Sequence, residues 1–202
     1  MNRLIFASVL AGIAVFVWGF ISHALSPLGE AGLSSLPTEE PVIEAMRANI
    51  PAKGLYFFPG VGTHSDLTDD ERRALIDRMK AGPNGLLLYD PEGHELITPG
   101  QLVIELINDF LAALLLGILL GYTSLGLVGR VAFGATVGLM AWLAISVSYW
   151  NWYGFPTTYI LAEGFGQVSA WALAALVLSL VMRRASASAS ASGTSPPVPP
   201  QH

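Results

Sequence analysis

Two carboxylates, Glu105 and Asp109, stand four residues apart within the apolar stretch from Leu102 to Tyr122. Residues at i and i+4 share one face of a helix, so the two side chains are neighbours. Carboxylates placed together in this way could hold a divalent cation, relay a proton or bind a cationic ligand. An ionised group costs about 2.5–3.5 kcal/mol at the centre of a membrane helix and usually faces the bundle interior or a water-filled cavity.

Three further polar residues lie in other apolar stretches and could join this pair. His23 ends the first stretch, and Glu163 and Gln167 lie one helical turn apart in the last. His23, Glu105, Asp109, Glu163 and Gln167 could together line a polar pocket. The alternative, which we favour, is that His23 and Glu105 are solvated at the membrane interface while Asp109 and Glu163 hydrogen-bond to neighbouring helices. No spacing matches a metal motif such as H-E-x-x-H, so metal binding stays open, and we expect no cofactor.

The elements that must position these groups are membrane helices. The chain of 202 residues is 52% hydrophobic and 12% charged, whereas soluble domains carry about 25% charged residues. Four runs reach the roughly 20 apolar residues that a span needs: Leu4 to Ala24, Val103 to Tyr122, Val128 to Tyr149 and Tyr159 to Met182. The first run is longer than the core of a signal peptide, about 7–15 residues, which favours an uncleaved anchor over cleavage after Ala24.

The predicted fold class is therefore a membrane all-α protein with four transmembrane helices and a small extracytoplasmic α+β insert between the first and second. The predicted domains are helix 1 in residues 1–24, the insert in 25–98, helices 2–4 in 99–182, and a disordered cytoplasmic tail in 183–202. Cytoplasmic flanks of membrane helices are enriched in Lys and Arg. We interpret Arg3, Arg130, Arg183 and Arg184 as topology anchors that place both termini in the cytoplasm of a bacterium and the insert in the periplasm.

The insert shows local signals for helices and strands. Thr68 and Glu71 form a capping box at the start of a helix, and GLYFF and GLLLY are typical of strands. The segment LLLYDPEGHELI resembles a hairpin that turns around Pro91 to Gly93. A second capping box, Thr98 to Gln101 with proline at the first helical position, starts the helix of the second span at Pro99.

Small residues at a spacing of four indicate where helices approach closely. We predict helix packing at Gly117, Gly121, Gly134, Gly138, Gly166 and Ala170.

Several classes of function are excluded or disfavoured by the residues present. The chain has no cysteine and a net charge of −5, which rules out thiolate chemistry and argues against nucleic acid as a partner. No catalytic triad, nucleophile elbow or phosphate-binding loop is found. His64, Ser65 and Asp66 are a weaker candidate for a calcium or zinc site.

The opening VWGFISHALSPLGEAGLSSLPTEEPVIEAM, the segment GLYFFPG and the WYGFP before the last helix resemble a group of uncharacterised bacterial membrane proteins. The resemblance implies four membrane helices with an insert after the first, and it brings no established activity. We expect a non-enzymatic accessory or interaction subunit that contacts the lipid bilayer and another envelope protein or a second copy of itself. The alternatives are a small oligomeric permease or ion-handling protein using the acidic pocket, and an intramembrane enzyme using the carboxylates as acid and base.

Overall fold

The structure of the chain is a computed structural model that describes residues 2–60 and 67–191, with side chains up to Met182 in the last helix. The weaker metal candidate at His64 to Asp66 lies outside the described residues. Most of the predicted tail also lies outside them, and its disorder stays a prediction.

The elements alternate between long apolar helices and a short mixed segment. In chain order they are α1 (Asn2–Phe20), a π-helical turn (Ile21–Leu25), a 3₁₀ turn (Pro27–Glu30), α2 (Glu39–Asn49), β1 (Gly54–Phe58), α3 (Asp69–Ala81), β2 (Gly85–Tyr89), α4 (Pro99–Gly121), α5 (Leu127–Ala144), α6 (Ser146–Tyr153) and α7 (Thr157–Ala191).

Four helical segments are long and apolar enough to cross a membrane: Asn2–Leu25, Pro99–Gly121, Leu127–Tyr153 and Thr157–Met182. The prediction of four such helices is confirmed. The third segment is not one continuous helix, because Ile145 adopts φ −111° and ψ −65° between α5 and α6. A break between two helices therefore lies inside the run from Val128 to Tyr149, which its apolar length indicated as a single span.

The four long helices form a bundle around a core of small and aliphatic side chains. Helix α1 packs against α4 and α7, and α5 packs against α7. The core consists of Ala7, Ala11, Val15, Ala113, Leu116, Leu120, Ala174, Ala175 and Leu178. Since alanine leaves little side chain between two backbones, α1, α4 and α7 lie close together.

Two of the predicted packing glycines lie at the closest approach of α5 and α7. A Cβ atom at Gly134 would meet the Trp171 carbonyl oxygen, and one at Gly138 would lie 2.8 Å from the Gln167 carbonyl carbon. Gly117 contacts α1, because its Cβ would lie 2.6 Å from Leu4 Cδ1. Gly134 and Gly138 face backbone atoms and admit only glycine without a shift of the facing helix, whereas at Gly117 the end of the Leu4 side chain can move instead.

The other predicted packing residues differ among themselves. Ala170 is half-buried and packs against the core cluster. A Cβ at Gly121 or Gly166 would meet nothing within 4 Å. The prediction that these two glycines pack against another helix is therefore wrong within one chain. Gly12 was not among the predicted residues, yet its Cβ would lie 2.8 Å from Phe110 Cα, so α1 and α4 approach each other closely there.

The insert contains a two-stranded antiparallel sheet in which Gly54 pairs with Tyr89 and Phe58 with Gly85. The predicted hairpin around Pro91 to Gly93 is wrong. Strand β2 pairs with β1, which precedes it in the chain, and residues 90–97 form no strand. Strand β2 therefore pairs with the more distant β1 and not with the residues that directly follow it. Both capping boxes are confirmed, with Thr68 accepting from the Glu71 backbone amide and Thr98 from that of Gln101.

Candidate functional site

A cavity of about 490 Å³ opens at the insert end of the bundle. All five residues of the candidate polar pocket line it: His23 from the π-helical turn, Glu105 and Asp109 from α4, and Glu163 and Gln167 from α7. The positions follow from the helix starts. The capping box begins α4 at Pro99, two turns before Glu105, and α7 begins at Thr157, a similar distance before Glu163. Antiparallel α1 ends at the same level.

The five side chains differ strongly in burial. His23 and Glu105 are exposed and Glu163 and Gln167 are half-buried, while Asp109 keeps only 7% of its surface accessible. Exposure of His23 and Glu105 agrees with the alternative interpretation, in which both are solvated.

Asp109 and Glu163 lack the hydrogen bonds that the alternative interpretation expected. No described residue donates a hydrogen bond to either carboxylate. By contrast, Gln167 Oε1 accepts a hydrogen bond of 3.0 Å from Trp171 Nε1. A buried polar group normally has a partner, but Asp109 has none among the described residues. The same holds for Trp18 Nε1, a buried donor in a side chain that also lines the cavity.

The walls of the cavity are largely apolar and aromatic, with Val15, Phe16, Trp18, Ala170 and Trp171 among them. Among the described residues that line it there is no lysine or arginine. The three carboxylates therefore give the cavity a negative potential that no lysine or arginine in its wall offsets. Within the described part of the chain, no three His, Asp or Glu side chains come together in a way that could hold a metal ion.

Sequence reasoning did not single out two polar residues that also line the cavity, Ser22 and Asn108. Asn108 directly precedes Asp109 in the sequence, and this position next to a carboxylate could have marked it as a cavity residue. Ser22 Oγ donates to the Gly19 carbonyl at 3.0 Å, which satisfies the hydroxyl within its own helix.

A second cavity, of about 200 Å³, lies between α7 and the segment around Ile145. Glu163 and Gln167 line it too, so this face of α7 is a wall shared by both cavities. Tyr149 and Tyr159 also line it, beside the break at Ile145. Phe155 stacks on Tyr149 with ring centroids 5.5 Å apart, so these two aromatic residues pair within the protein.

The insert carries a second surface of interest, on one face of its sheet. Leu55 and Leu88 are directly opposed across the strands and remain 65% and 78% exposed. At the end of the sheet, the Lys53 ammonium donates to the Asp90 carboxylate at 2.6 Å. This hydrogen bond lowers the pKa of Asp90 and raises that of Lys53.

The fold and its long apolar helices indicate a multi-pass membrane protein. Comparison with protein-family models, with curated proteins and with solved structures finds no match to this chain. Its function is therefore argued from its own residues.

Proposed function

We propose that the protein is a non-enzymatic accessory subunit of the bacterial inner membrane whose insert docks on another envelope protein. The observation that carries this proposal is the exposed cross-strand pair of Leu55 and Leu88. Apolar side chains scattered singly on a surface need no explanation. When a partner covers an opposed apolar pair on a sheet face, the loss of contact with water stabilises the complex.

The insert has little of its own with which to cover that face. Helices α2 and α3 contribute no buried side chain, and Leu96, in the segment that leads to α4, is 91% exposed. An isolated two-stranded sheet is marginally stable at best in water. The outer edges of β1 and β2 pair with no further strand in the described residues, so a partner strand could extend the sheet through backbone hydrogen bonds.

The proposed orientation rests on the distribution of arginines. Leu4 contacts Gly117 and lies beside Leu178, so the start of α1 lies beside the ends of α4 and α7. Arg3, Arg130 and the backbone of Arg183 and Arg184 belong to this end of the bundle, and the insert to the other. By the positive-inside rule, the arginine end faces the cytoplasm, both termini lie there, and the insert faces the periplasm.

The test is native mass spectrometry of the full chain released gently from its own membrane. We expect a second protein in fixed stoichiometry, and we expect the double substitution Leu55→Ser, Leu88→Ser to remove it. Ile76→Ser on α3 is the matched control, because Ile76 is also an exposed apolar residue of the insert, at 43%. A wild-type spectrum that holds only the monomer and lipid would contradict the proposal, as would a complex that the double variant leaves intact.

A second candidate, a small oligomeric permease or ion-handling protein, is favoured by the acid-lined cavity. Four helices per chain are few for a pore, so this candidate requires several copies. Its test is cation flux across vesicles that contain the purified protein, with Asp109→Asn and Glu163→Gln as variants. Absence of cation flux through the wild type would contradict this candidate. So would flux through both variants equal to that of the wild type at the same protein content.

A further inference from the structure

We propose that the 490 Å³ cavity is a binding site for a small organic cation, an ammonium group attached to an apolar or aromatic body. The inference uses the same cavity as the second candidate function but requires no transport. It is also independent of the accessory role, which depends on the insert.

The negative charge of the cavity favours a positively charged ligand. Asp109 is more than nine-tenths buried and lines the cavity, and no described residue donates a hydrogen bond to it. A carboxylate removed from water without a counter-charge is costly, and a bound cation reduces that cost. Glu105 and Glu163 line the same space and add to the negative potential.

The walls of the cavity select an organic cation over a metal ion. Calcium takes about six to eight oxygen ligands and zinc about four nitrogen, sulfur or oxygen ligands, whereas no three acidic or histidine side chains of the described residues are grouped to hold a metal ion. Trp18, Trp171 and Phe16 instead line the cavity with aromatic side chains. Aromatic faces attract ammonium groups through the ring quadrupole, and the same rings accommodate the hydrocarbon part of such a ligand.

The size and accessibility of the cavity agree with this class of ligand. Pockets that bind small molecules usually measure about 300–1,000 Å³ and combine apolar walls with a few polar groups. At 490 Å³ this cavity lies within that range. His23 and Glu105 are exposed at its rim, so a ligand can enter from the insert side and reach Asp109 at the inner end.

The experiment measures binding of radiolabelled 2-phenylethylammonium to the full chain in lipid nanodiscs, with empty nanodiscs as background. The neutral analogue 2-phenylethanol has the same body without the charge. We expect the cation to bind at least about tenfold more tightly than the alcohol, since a charged hydrogen bond stabilises by about 1.5–3 kcal/mol. Asp109→Asn should weaken binding of the cation by about tenfold or more, and Glu163→Gln should weaken it less.

Asp77→Asn is the matched control, because it removes the same charge from an exposed position of α3. Equal binding of the alcohol and the cation overturns the proposal, and so does unchanged binding in folded Asp109→Asn. The wild type alone provides a second test if that variant does not accumulate. A photoreactive azide derivative of 2-phenylethylammonium should label the peptides that contain Trp18, Asp109 or Trp171, and labelling confined to other peptides overturns the proposal.

Discussion

The contact between α5 and α7 makes a quantitative prediction for Gly138→Ala. The new Cβ would lie 2.8 Å from the Gln167 carbonyl carbon and 3.0 Å from Trp171 Cδ1. The new Cβ would also meet the Gln167 carbonyl oxygen, which is its nearest neighbour. Carbon atoms are at their optimum separation at about 3.5–4.0 Å, so α7 would have to move away by roughly 0.7–1.2 Å. Overpacking of this kind costs about 1–3 kcal/mol, against a gain of up to about 1 kcal/mol in helix propensity.

Gly121→Ala is the control for this substitution. It makes the same chemical change near the end of α4, but nothing lies within 4 Å of its Cβ. We therefore expect Gly138→Ala to lower the free energy of unfolding by up to about 3 kcal/mol, and Gly121→Ala to leave it unchanged or raise it by up to about 1 kcal/mol.

The assay is thermal unfolding in detergent micelles, followed by tryptophan fluorescence. In soluble domains of this size, 1 kcal/mol corresponds to about 2–4 °C in Tm, which sets the scale of the expected separation. Equal Tm values for Gly138→Ala and Gly121→Ala would refute the close approach of α5 and α7 at this position.

Three further predictions concern single interactions. Thr98→Ala removes the cap of α4 and should lower stability by about 0.5–2 kcal/mol, with faster amide exchange confined to the first turn of that helix. Because the hydrogen bond from Lys53 lowers the pKa of Asp90, the pair stabilises the insert above the ordinary aspartate pKa and loses its effect as the pH falls through the lowered value. In the Lys53→Gln variant, a pH titration monitored by NMR of the Asp90 carboxyl should show a higher Asp90 pKa than in the wild type. An Asp90 pKa equal to that of the wild type would contradict the pairing. Trp142→Phe removes the 2.7 Å hydrogen bond from Nε1 to the Ile160 carbonyl and should lower the free energy of unfolding by about 0.5–1.5 kcal/mol, measured by the same thermal assay.

Much of the fold could be predicted because its signals are local. Apolar length indicates the four long helices, and a Thr followed three residues later by Glu or Gln indicates where α3 and α4 begin. Alternation of the spans then places His23, Glu105 and Glu163 at one end without any knowledge of distances.

The remaining features depend on contacts between distant residues. The pairing of β1 with β2 joins Leu55 to Leu88 across α3, and the local turn signal at Pro91 to Gly93 gives no information on that competition. Nor does the spacing of glycines distinguish Gly138, which packs on α7, from Gly121, which faces open space. The difference lies in how the helices are rotated toward one another, and that is a property of the whole bundle.

The rim of the cavity also fixes how the insert is attached to the bundle. Leu28 and Ile97 both line the cavity, so the chain leaves the bundle and returns to it at one place. For a flexible loop closed in this way, doubling the length costs only about 0.6 kcal/mol. The bundle is therefore almost indifferent to the length of what it carries there, and this rim is a natural point for exchanging one inserted domain for another.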